Sequence, residues 1–175
     1  MIVNFNDTFK KLLREFNLPD DLSFSVEIPK EVQEILEDEI VETDLGITLK
    51  SFNKLYKATG NWENQSIIED NENHFHVDWC IDPPNDKNAF MLGVKTLILL
   101  ALKFKNEKLS GLRFWYSFQT PELGNLWAKD NDFDEQEDEH LISDRLSFYK
   151  MRKGEEVIEV NIYENLFWAV LTIDI

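Results

Sequence analysis

Eight residues, His74-Phe75-His76-Val77-Asp78-Trp79-Cys80-Ile81, hold two of the chain's three histidines, a carboxylate and its only thiol. Read as a strand, their alternation puts His74, His76, Asp78 and Cys80 on one face and Phe75, Val77, Trp79 and Ile81 on the other. Neutral imidazole, carboxylate and thiolate all ligate metals. Residues two apart on a strand are about 6.6 Å apart along the backbone. His74 with His76, or His76 with Asp78, therefore reach one ion, and a further position falls to water or to a remote acid. His76 and Cys80 are about 13 Å apart on the same rise, too far for a cysteine–histidine nucleophile pair. The competing reading is the polar face of an amphipathic strand. The expectation is that no metal and no cofactor is bound, with His74, His76 and Asp78 as the alternative ligand set.

A second concentration of chemistry is negative charge. Asp130, Asp132, Asp134, Glu135, Glu137, Asp138 and Glu139 fall in one run that no lysine or arginine interrupts, with Phe133 inside it and Trp127 beside it. The alternating aspartates begin like a calcium loop, but Glu135 stands where the turn needs glycine and Leu141 where the bidentate glutamate belongs. A protein-facing patch fits better. Trp127 and Phe133 would be its desolvated anchors and Asp130, Asp132, Asp134, Glu135, Glu137, Asp138 and Glu139 its charged rim. Glycine-rich phosphate loops, nucleophile elbows and paired helical histidines around a glutamate are absent, so the chain is expected not to be an enzyme.

These groups must be positioned by regular elements. Phe5, Phe9, Leu12, Leu13 and Phe16 form a helical stripe over 7–17, capped by Asn6 or Asp7. Leu22, Phe24, Val26 and Ile28 alternate with polar residues as in a half-buried strand. A second helix is expected over 30–41, with Glu31, Glu34, Glu37, Asp38 and Glu42 on its solvent face, and a third near 49–58. A hairpin pairs 65–68 with 74–81. The apolar stretch over 87–105 reads as a buried central helix. Leu112, Phe114, Tyr116 and Phe118 face one way on the next strand, and Arg113, Trp115, Ser117 and Gln119 the other, with Trp115 expected under a covering layer. Residues 120–140 are expected to be irregular, and 145–151, 157–163 and 167–173 to form a meander. The fold class is α+β, a mostly antiparallel sheet with helices packed on one face. Residues 1–175 are expected to form a single domain.

The formal net charge of −16 argues against nucleic acid and anionic membrane as ligands and favours a basic protein. One cysteine excludes an internal disulfide and fits a reducing, cytoplasmic setting. The expected function is an acidic binding or inhibitor protein for a basic partner, of the bacterial immunity type that neutralises a nuclease toxin. Size and charge carry that expectation, with no residue motif behind it. The alternatives are a non-catalytic adaptor subunit and a metal-dependent hydrolase built on His74, His76 and Asp78.

Overall fold

The first strand and the last are neighbours. In the computed structural model, which describes residues 1–44, 46–52, 64–82, 85–130, 143–155, 157 and 167–175, β1 (Ile2–Phe5) pairs antiparallel with β6 (Ala169–Asp174). Strand β6 also pairs with β4 (Leu112–Gln119), and β4 with β5 (Ser143–Lys150), so the four-stranded antiparallel sheet runs β1-β6-β4-β5. The C-terminal strand is thus interior rather than the end of a meander. Of the strand expected over 157–163, only Val157 lies within the described residues.

Helix α1 (Asp7–Glu15) follows β1 directly, and Asn6 holds the junction. Its side chain accepts from Phe9 N and Val170 N and donates to the carbonyl of Trp168 at 2.7 Å. Asn6 is both the helix cap and a clamp on β6. Asn6→Ala is expected to lower unfolding free energy by about 2 kcal/mol, because a cap is lost and a buried strand amide loses its partner. Urea denaturation checks this; a loss no larger than that of an exposed substitution would contradict it.

The 21-residue helix α4 (Asp86–Asn106) is the central helix expected over 87–105. Its Phe90 packs against Phe9 of α1 and Phe118 of β4, and its Phe104 against Phe114 and Phe148. At Gly93 an added Cβ would fall 2.1 Å from the Tyr116 ring, so glycine is what lets β4 approach the helix this closely. The class is α+β, with α1, α3 (Gln65–Glu72) and α4 packing against the sheet and a separate two-stranded hairpin of β2 (Ile40–Thr43) and β3 (Gly46–Leu49). Among the described residues no helix is long and apolar enough to cross a membrane.

Several elements differ from expectation. Residues 22–28 alternate in burial as anticipated, and Phe24, Val26 and Ile28 pack on the core, but the segment joins no sheet among the described residues. Helix α2 (Lys30–Glu37) stops early, and Ile40 and Val41 enter β2 instead. Leu49 ends β3 rather than opening a helix, and 53–58 of that expected helix lie outside the described residues. The segment after Thr120 opens as α5 (Pro121–Asp130) rather than as irregular chain.

The expected hairpin is replaced by helix α3 (Gln65–Glu72), capped by Asn64, and by a short 3-10 turn at Asp78–Cys80. The reason lies at the outer edge of β5, which pairs with no other strand among the described residues. The inward face of α3 is polar: Ser66, Glu69 and Asp70, with Asn73 just beyond, are all buried. These residues occupy the backbone groups that β5 exposes. Lys150 N donates to Glu69, Asn73 Nδ2 donates to the carbonyl of Phe148, and Ser66 donates to that of Lys150. Phe75 exchanges both backbone hydrogen bonds with Leu146. An open sheet edge is a template for aggregation, and here it is closed by side chains of a helix. Asp70 reaches further, accepting from the indole of Trp115 at 2.5 Å and from Arg145 at 2.8 Å. Trp115 therefore has the covering layer that was expected.

Candidate functional site

The turn that replaces the second hairpin strand rearranges the histidine-rich segment. Phe75 is held by the bridge to Leu146, Val77 is fully buried, and the chain then curls through Asp78–Cys80. The expected common face of His74, His76, Asp78 and Cys80 therefore does not form. Trp79, expected to point inward with Val77, is instead 80% exposed and stacks on the His76 ring at 4.6 Å.

His76 and Asp78 meet a third residue, distant in sequence and outside the expected ligand set. Asp144, the second residue of β5, is buried, and its carboxylate accepts from Val77 N and Asp78 N at 3.2 Å each. The His76 Nδ1 is hydrogen-bonded to the Asp144 carbonyl and lies 3.5 Å from its Oδ1. Donor atoms of His76, Asp78 and Asp144 lie within 4.8 Å of one another. His74 stands beside the group, 5.9 Å from His76 between ring centroids, but its Nδ1 is committed to the carbonyl of Asn71. Cys80 turns away and lines a separate cleft of about 500 Å³ with Ser25, Val26 and Met91.

Burial and the neighbouring Asp144 carboxylate push the Asp78 carboxyl up to about 7. The hydrogen bond to Asp144 raises the His76 imidazole above its ordinary value, against the opposing effect of burial. Because Asp78 holds its proton more tightly folded than unfolded, the stability it contributes is present below the ordinary aspartate value and is lost as pH rises through 7. Asp78→Asn, which mimics the neutral acid, is expected to stabilise the chelator-treated protein at pH 8 and to match it near pH 4. Melting temperatures at the two pH values check this; equal effects at both would contradict it.

A second site lies between the β2–β3 hairpin and the C-terminal end of α4. This groove, about 520 Å³, is walled by Glu37, Asp38, Glu39, Glu42 and Glu107 over a floor of Ile40, Ile47 and Leu109. Among the described lining residues the one cation is Lys103, whose ammonium donates to the carbonyl of Asp38, and Lys50 pairs with Glu39 at the wall. Burial lowers the Lys103 ammonium below its usual value, while Asp38, Glu107 and Glu37 oppose that shift. The turn after α2 is rigid, since the Asp38 carboxylate accepts from Glu39 N and Ser51 N. Three of the acids expected to be only the solvent face of a helix, Glu37, Asp38 and Glu42, thus border a concave surface.

Of the residues expected to form the acidic patch, Trp127 is half-buried on α5 and Asp130 is that helix's last residue. Asp132, Phe133, Asp134, Glu135, Glu137, Asp138 and Glu139 lie outside the described residues. Comparisons with family models, with curated proteins and with solved structures return no match.

Proposed function

We propose that this chain is an acidic binding domain that captures and inhibits a basic protein, with a nuclease toxin as the partner class whose chemistry fits. The observation that carries the reading is the acid-walled groove. Five acidic residues line it above an apolar floor; Glu39 is paired with Lys50 and Asp38 with backbone amides, which leaves Glu37, Glu42 and Glu107 to meet a partner's cation. A lysine- or arginine-bearing segment of a partner would find complementary charge at the walls and lose water against Ile40 and Leu109. A protein that binds nucleic acid presents such a segment at its phosphate-binding cleft.

The distribution of cations supports the same reading. Three of the four arginines are spent inside the fold, Arg113 on Asp174, Arg145 on Asp70 and Arg152 on Glu69. The surface acids are thereby left in excess, and the field they make steers a cationic partner. Trp127 and the run Asp130–Glu139 are the second candidate contact with the same partner.

The test is capture from lysate of the native host at low and moderate salt, with three baits. These are the wild type, the double reversal Glu37→Lys/Glu42→Lys, and a triple neutralisation of Asp132, Asp134 and Glu137. One basic protein retained by the wild type, released by salt and lost with either variant supports the reading. Retention of several neutral subunits, equally by all baits, would replace it with an adaptor role.

A further inference from the structure

We propose that His76, Asp78 and Asp144 form a binding site for one divalent transition cation of the zinc or manganese class. The donors come from two separate segments, the turn after α3 and strand β5, and the fold holds them together without any contribution from the acidic surface. Asp144 is the fixed member. Its side chain is wholly buried, and the amides of Val77 and Asp78 set its orientation. Oδ2 accepts from both amides, whereas Oδ1 accepts only from Val77 N among them and keeps a lone pair for an ion. His76 is oriented as metal-bound imidazoles are, with the ring hydrogen-bonded to a main-chain carbonyl and one face covered by Trp79.

Charge suits the same occupant. Asp78 and Asp144 face each other beside one imidazole, and among the described residues no lysine or arginine forms an ion pair with either. A divalent ion would offset two carboxylates of which one is wholly and one partly buried. Donor atoms around one such ion sit roughly 3–3.5 Å apart, so a spread of up to 4.8 Å closes by small rotations of Asp78 and His76, which are both partly exposed. Two oxygens and one imidazole nitrogen suit zinc or manganese, with water completing the shell on the open side. His74 and Cys80 take no part. His74 lies outside the set of donor atoms that come within 4.8 Å of one another, and the Cys80 thiol, raised by burial, faces a different cleft.

The experiment uses untagged full-length protein, stripped with chelator and dialysed against zinc or manganese, with bound metal counted per chain. One equivalent is expected. Asp78→Asn and His76→Gln should each weaken binding by about 100-fold or more, since loss of a ligand costs at least what loss of its supporting partner does. His74→Gln and Cys80→Ser should leave it unchanged. Asp78 and His76 carry the test because Asp144→Asn removes a buried carboxylate and disturbs folding as well. Substoichiometric metal overturns the proposal, as does binding indifferent to Asp78→Asn, and a loss on His74→Gln as large as that on His76→Gln overturns the ligand set. None of these results bears on partner capture, which depends on other residues.

Discussion

Glu69→Ala is expected to destabilise the protein by about 3–5 kcal/mol, the cost of leaving a partly buried cation without its counter-charge. Glu69 is 2% exposed and sits where three parts of the chain meet. Arg152 grips it with both terminal nitrogens at 2.9 Å, Lys150 N of β5 donates to it at 2.7 Å, and Ile47 N of β3 at 3.3 Å. One carboxylate therefore ties the hairpin to the edge of the main sheet. Gly46 is fitted to it. An added Cβ there would lie 1.6 Å from Glu69 Oε1, and the residue's φ of +126° is one that side chains resist. Gly46→Ala should consequently be costly in the wild type and less costly when Glu69 is already alanine. A double-mutant cycle by chemical denaturation measures that coupling. Strictly additive losses, or a Glu69→Ala cost below about 1 kcal/mol, the size expected of an exposed pair, would show that the junction contributes little.

The behaviour of Glu69 also explains what could be read from the residues and what could not. Where a buried stripe is apolar, pattern and structure agree. The alternation Leu112, Phe114, Tyr116, Phe118 marks the core face of β4, and α4 is buried because it is apolar almost all round. Helix α3 inverts the rule. Its buried positions Ser66, Glu69 and Asp70, continued by Asn73, have helical spacing but polar side chains, because they serve backbone groups of a sheet edge. Hydropathy reads such a stripe as solvent-facing and leaves the helix invisible. Residues 22–28 fail differently. Leu22, Phe24, Val26 and Ile28 alternate in burial just as a strand would, but alternation reports which side faces the core, not whether a neighbouring strand supplies hydrogen bonds.

The candidate sites divide along the same line. His76 and Asp78 are conspicuous in the sequence because histidine is rare in this chain. Asp144 is one acid among many, and only the fold brings its carboxylate beneath Val77 and Asp78. The one available signal was an acid among strand residues, in a stretch whose neighbours Leu146 and Phe148 are core. In the acidic groove, Glu37 and Glu42 were legible as exposed, but its concavity depends on α2 ending at Glu37 so that β2 can fold back toward α4.

The second large effect concerns association. Glu37→Lys/Glu42→Lys reverses two exposed charges at the groove wall, and the association rate with a basic partner is expected to fall by about 10-fold or more at low salt. The fold should be untouched, because neither residue is buried. Lys103→Met should act in the opposite direction and accelerate association, since it removes a cation that lines the groove. These effects should shrink as ionic strength rises, because the charges are exposed and screened over about 8–10 Å. The most direct measurement is stopped-flow association of the captured partner with the wild type and the double reversal across a range of salt. The wild-type rate is expected to fall steeply with salt, and the variant rate to be lower and flatter. A salt-independent wild-type rate, or equal rates for the two proteins at low salt, would contradict it.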